Sequence, residues 1–264
     1  MTGPYLAYTY AVALDSEGLR HVVATLPGVA ASQVHLVQST SGGAVVAAVS
    51  PVPAAEFDEA ALRRHLEELP WLEEVARAHH HVIEEIAART TVLPLRLATV
   101  YLDDDRVRAV LDERQDAFLD RLARLAGRLE WGVKLYVDAA AAPPPPPPAD
   151  LGPGRAYLRH RRVEQDLRQD GYRAARTAAE RIDAAARLHA VDHVRHRVQQ
   201  GDLASEPGAN VTNDAYLVPV EQAEAFRAAV IRSTDGLPGV RVAVTGPWAP
   251  YSFAAPEQEE ESAP

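Results

Sequence analysis

The stretch from Thr90 to Asp138, TTVLPLRLATVYLDDDRVRAVLDERQDAFLDRLARLAGRLEWGVKLYVD, changes its hydrophobic period twice, and that narrows what the chain can fold into. From Pro94 to Tyr101 residues alternate, with Leu95, Leu97 and Thr99 on one side and Arg96, Ala98 and Val100 on the other. That pattern predicts a half-buried strand. Asp103, Asp104 and Asp105 then offer an N-cap and acidic first-turn residues, which suit the positive end of a helix. Val107, Val110, Leu111, Phe118, Leu122, Leu125 and Leu129 follow at mostly three- and four-residue steps, an apolar stripe on one helix face. Gly127 interrupts it, and Glu130 to Val137 reads as a second strand with Trp131, Val133, Leu135 and Val137 in register. Strand, helix, strand demands a sheet with helices packed on it, so the class is α+β or α/β.

Composition bounds the function. The chain has 264 residues, enough for one large domain or two ordinary ones, and 47% of them are hydrophobic. A net charge of −10 argues against a nucleic-acid partner, which needs basic clustering. With no cysteine there is no disulfide, thiolate nucleophile or Cys-ligated zinc, which suits a cytoplasmic protein. The N-terminal MTGPYLAYTYAVALD lacks a basic region and cleavage pattern, so no signal peptide is expected, and no apolar run is long enough to enter a bilayer.

Elsewhere the pattern predicts a buried strand over Tyr5–Leu14 and a short helix over Glu17–Thr25. Strands at Val34–Ser39 and Ala44–Val49 flank the turn signal Thr40-Ser41-Gly42-Gly43, with Pro51 and Pro53 ending the hairpin. One helix stops at Pro70; the next carries Leu72, Val75, His79, Val82, Ile83 and Ile86 on one face. Pro143–Pro148 predicts a stiff polyproline spacer. Arg155–Gln200 reads as one long helix bent at Gly171, followed by a strand at Ala215–Val220, a helix at Glu221–Arg232, a strand at Val240–Thr245 and a disordered acidic tail over Glu257–Pro264. The expected division is 1–102, an N-terminal α+β domain; 103–246, a second α+β domain with a Pro-rich loop at 139–154; and 247–264, a C-terminal tail.

No catalytic constellation emerges, and the sequence predicts no catalytic, cofactor-binding or metal-binding residue. His79-His80-His81 cannot converge on one ion, since consecutive helical residues point about 100° apart; His79 falls on the apolar stripe and is expected to be buried and hydrogen-bonded. His189, His193 and His196 would share a face of the long helix, but in HAVDH alanine stands where a zinc protease needs its general-base glutamate. Gly42-Gly43 lacks the Lys and Ser/Thr of a phosphate loop. The remaining candidates are Trp248, Tyr251 and Phe253, three aromatics broken by Pro247 and Pro250. They would either fold back and seal apolar surface between domains or form a recognition segment, as aromatics concentrate at interface hot spots.

TTVLPLRLATVY, followed by EWGVKLYVD, GRAYLRHRR at Gly154–Arg162 and TGPWAPYSFA at Thr245–Ala254, resembles in content and order the gas vesicle synthesis proteins of the GvpF/GvpL family. The family has Phe-Gly where this chain has Leu97-Ala98, and two prolines where it has Ala249-Pro250. The resemblance implies two domains, the second a modified ferredoxin-like fold with a long helix. It also implies a non-enzymatic assembly factor, a minor vesicle component located at the gas vesicle. Its partners would be the main shell protein GvpA and other accessory Gvp proteins, whose apolar surface it would shield. Self-association through the long helix is a further possibility. The alternative is a ligand- or metal-binding ferredoxin-like domain with an enzymatic or regulatory role, since such sheets host many activities.

Overall fold

A computed structural model describes residues 4–40, 42–138, 153–198 and 208–254. The Pro143–Pro148 spacer and the acidic tail lie outside the described residues. The fold is mixed helix and sheet, and the chain divides into two compact units, Met1–Arg128 with Trp248–Pro264 and Leu129–Pro247.

In the first unit the central strand is β1 (Tyr5–Leu14), with β2 (His35–Gln38), β3 (Val45–Pro53), β4 (Val92–Pro94) and β5 (Val100–Tyr101). The sheet order is β2-β3-β1-β4, with β5 also on β1. The β2–β3 hairpin pairs Gln38 with Val46, across the expected turn. Strand β1 is a continuous apolar run because both faces are covered. One face packs with α1 (Glu17–Val23) and α4 (Leu69–Ala87), joined by the short α2 (Ala54–Phe57) and α3 (Glu59–His65). On the other side α5 (Asp104–Glu113) packs against β2 and β3, and α6 (Gln115–Leu125) against β4 and β1. Ser16 accepts from the Leu19 amide, Asp58 from Ala61, and Asp103, the expected N-cap, from Arg106.

Two expectations are corrected at this point. The helices after Asp103 belong to the first unit, so the division falls after Arg128, not after residue 102. The stripe Val107, Leu111, Phe118 and Leu122 finds its apolar partner on the sheet already built, and is buried there. Pro51 and Pro53 do not end the hairpin; β3 runs through them, pairing Pro51 with Ala7 and Pro53 with Tyr5. Their missing N–H groups are tolerated because β2 reaches only to Val49, leaving that side of β3 without a ladder partner.

The expected strand over Pro94–Tyr101 is two short strands around a turn, in which the Thr99 amide bonds the Arg96 carbonyl and Ala98 lies at φ +61°. A left-handed alanine costs about 1–2 kcal/mol. Ala98→Gly is therefore expected to stabilise the first unit by about 0.5–1 kcal/mol, less than the strain removed because glycine also gains entropy in the unfolded chain. A urea midpoint that falls on this substitution would contradict it.

The second unit runs β6 (Arg128–Val137), α7 (Pro153–His189), β7 (Asp192–Arg195), β8 (Ala209–Pro219), α8 (Ala223–Arg232) and β9 (Val240–Trp248), with sheet order β7-β8-β6-β9. Trp131, Val133, Leu135 and Val137 are all buried, as the alternation predicts. Gly171 is needed for close approach, since a Cβ there would lie 2.9 Å from Val137 Cγ1. The long helix stops at His189 rather than continuing to Gln200: β-branched Val191 and Val194 go into the chain that pairs with β8, and the Val191 amide bonds the Leu217 carbonyl. Long-range pairing here outweighs a helical spacing that continues in the sequence.

Candidate functional site

The aromatic segment that begins at Trp248, the last residue of β9, belongs to the first unit. Ala249 and Phe253 are buried, Tyr251 is half-buried, and Trp248 keeps 39% of its surface exposed. Its anchor is His80 on α4. The His80 ring sits 5.7 Å from the Tyr251 ring and 5.8 Å from the Trp248 ring, and His80 Nδ1 is 3.0 Å from the Tyr251 hydroxyl. Nε2 of the same imidazole meets Glu84 at 3.0 Å. Tyr251 also lines a cavity of about 370 Å³ between the sheet and α5–α6. Val12, Val107, Leu111 and Phe118 give it an apolar wall, and Arg96, Arg114 and Arg121 line it as well. Arg121 Nη1 donates to the Ala254 carbonyl at 3.4 Å.

The histidine triplet separates as helix geometry demands. His79 is 3% exposed and packs between Tyr8 and Tyr10, with ring centroids 5.7 and 5.6 Å away. Its Nδ1 lies 3.0 Å from the Tyr8 hydroxyl, which accepts from the Ala98 amide at 3.1 Å. Burial pushes the His79 pKa down to about 4, against an opposing backbone interaction with Leu95. The Tyr8 hydroxyl is raised by the same burial. Tyr10 is raised too, and its hydroxyl accepts from the Val29 amide at 2.7 Å and pairs with Ser50 Oγ at 2.7 Å. His80 turns to the aromatic segment, and His81 is exposed.

The shared helical face expected for His189, His193 and His196 does not form, because only His189 is helical. His189 Nδ1 meets Gln222 Oε1 at 2.9 Å, and His193, on β7, stacks on Tyr216 with centroids 4.8 Å apart. A site that sequence reading missed lies here: Asp214, 4% exposed, receives His193 Nε2 at 2.9 Å and Arg195 Nε at 3.0 Å. Only the β7–β8 register, which pairs Arg195 with Asp214, brings them together. The arrangement pairs a buried carboxylate and offers no activated nucleophile. Among the described residues no group of three or more metal-ligating side chains could hold an ion, and no helix is long and apolar enough to cross a membrane.

Geometry thus defines a protein of mixed helix and sheet in two compact units, with Trp248 part-exposed beside His80. The chain belongs to the gas vesicle synthesis protein GvpL/GvpF family, whose model matches residues 6–255. It is 42% identical to gas vesicle protein L of Streptomyces sp. strain CB03234 over 222 residues, covering 83% of each chain. Gas vesicle protein F of the same strain is 33% identical over 184 residues, 67% of this chain and 75% of that one. The fold resembles the crystal structure of gas vesicle protein GvpF from Anabaena sp. PCC7120, with TM-score 0.63 and 21% identity over 96% of this chain and 98% of that chain.

Proposed function

We propose that this chain is a non-enzymatic accessory protein of gas vesicle assembly, acting at the vesicle in the cytoplasm. It binds the apolar shell protein GvpA and other accessory Gvp proteins, limits aggregation of the shell subunit and supports nucleation. The observation that carries this is membership in the GvpL/GvpF family over nearly the whole chain, with 42% identity to a gas vesicle protein L. An apolar subunit awaiting polymerisation is an aggregation hazard, and a soluble acidic partner relieves it. The second unit, with order β6-α7-β7-β8-α8-β9 and strands arranged β7-β8-β6-β9, is read as a modified ferredoxin-like domain. Trp248, Tyr251 and Phe253 are its companion segment on the first unit, and half-exposed Trp248 is the residue best placed to meet a partner.

Co-expression with the shell protein tests this. The two are expected to co-purify, and Trp248→Ala is expected to weaken recovery about tenfold or more while circular dichroism is unchanged, the effect of losing one interface hot spot. Absence of the shell protein from the purified complex, or normal vesicles in cells lacking the gene, would remove the reading.

A further inference from the structure

Along the first half of α7 one side is exposed among the described residues. From Tyr157 to Asp170 none of the side chains described is buried; burial begins at Gly171 and Ala175. At about 100° per residue, Tyr157, Leu158, Arg161, Arg162, Arg168 and Tyr172 fall on one side of this helix, and all six are exposed. In a chain of net charge −10, this strip carries arginines and large apolar side chains, two of which, Tyr157 and Arg161, lie 3.3 Å apart. Tyrosine and arginine are residue types enriched among the side chains that dominate interface energies.

The first unit carries its complement. A groove of about 980 Å³ runs beside α4, floored by Phe57, Trp71 and Val75. Glu56, Glu73, Glu74 and Glu84 line it together with Arg77, His80 and His81; Glu73 engages Arg77 at 2.5 Å and Glu84 engages His80 at 3.0 Å, which leaves Glu56 and Glu74 for a partner's arginines. Apolar floor with acidic walls matches apolar strip with arginines, in charge and in kind.

We propose that the exposed strip of α7 docks in the acidic groove beside α4 of a second copy of this chain. Tyr157 and Leu158 reach the Trp71 floor, and Arg161, Arg162 and Arg168 meet the glutamates. The contact joins two different surfaces, so it can link chains head to tail. It is distinct from the shell-protein reading, which rests on the Trp248 segment, and it can fail without that reading failing.

Sedimentation of the purified full chain decides it. In about 0.1 M salt the weight-average mass is expected to rise with concentration to at least twice the single-chain 28.6 kDa. It should return to the single-chain value in about 1 M salt, where the screening length falls from about 10 Å to about 3 Å. A strip variant (Arg161→Gln, Arg162→Gln, Arg168→Gln) and a groove variant (Glu56→Gln, Glu73→Gln, Glu74→Gln) should each stay monomeric. Mixed, they should form a one-to-one pair and nothing larger, because only one intact strip then meets one intact groove. Since these are exposed side chains, pairing of the mixture also shows that both variants are folded. A monomer at every concentration overturns the proposal, as does association that either variant leaves unchanged, or failure of the mixture to pair.

Discussion

Replacing Phe226 by alanine is expected to destabilise the second unit by about 4 kcal/mol, within the range for truncating a buried aromatic. The ring has no exposed surface and lies 5.4 Å from Tyr216. On α8 the apolar positions Ala223, Phe226 and Val230 follow three- and four-residue steps, and all three enter the core formed with Trp131, Val133, Ala178, Ile182 and Val218. Phe226 is the largest of the three, and its removal leaves a void that neighbours on a fixed sheet fill poorly. Phe226→Leu keeps most of the volume and is expected to cost only about 1 kcal/mol. The measurement is urea unfolding followed by Trp131, which is buried on β6, after the other two tryptophans, Trp71 and Trp248, have been changed to phenylalanine. A loss below about 1 kcal/mol for the alanine variant would mean that α8 is held by something else.

The elements that the sequence made legible are those in which local pattern and tertiary environment agree. Strand β1 reads as one continuous apolar run and β6 and α4 each show one clear period, and the central apolar positions of all three are buried. His79 could be placed in the core from its position on the α4 stripe alone. Legibility failed where a distant partner decides. Leu95, Leu97 and Thr99 alternate well enough for a strand, yet the Ala98 turn breaks it, and the alternation does not reveal a residue at positive φ. The helical spacing of Val191, Val194 and Val198 is as regular as that before His189, but the partner strand β8 captures this stretch. The stripe on α5–α6 was clear, though which sheet it covers was not, because an amphipathic helix reports that it has an apolar partner without saying which. The Asp214 cluster was invisible for a related reason: its three side chains come from two strands whose register no local signal gives. Aromatic density marked Trp248, Tyr251 and Phe253, while nothing in the sequence pointed to His80 as the side chain that Trp248 and Tyr251 pack against.

Acid is expected to weaken the first unit by about 3 kcal/mol between neutral pH and pH 4, and His79 is the cause. The Ala98 amide donates to the Tyr8 hydroxyl, so the Tyr8 proton is best used on His79 Nδ1, an arrangement that requires a neutral imidazole. At pH 7 the ring is neutral folded or unfolded, and burial imposes no charge penalty. Below its ordinary value of 6.5 the unfolded chain takes up a proton that the folded one refuses until about pH 4. The unfolded state then binds more protons, so stability falls as pH falls. That interval, at about 1.4 kcal/mol per pH unit, gives the stated loss. Asp15 is held below its ordinary value by the hydrogen bond from Arg20, so it titrates beneath this window and does not mimic the effect. His79→Gln keeps an acceptor for Tyr8 and has nothing to protonate. Its urea midpoint should therefore change much less between pH 7 and pH 4.5 than that of the parent chain. Equal slopes in the two proteins would show that the acid sensitivity lies elsewhere. Protonation would also turn Nδ1 from acceptor to donor, leaving the Tyr8 hydroxyl without its acceptor. The Arg96–Thr99 turn, tied to Tyr8 through the Ala98 amide, should then be among the first backbone segments to lose amide protection as pH falls.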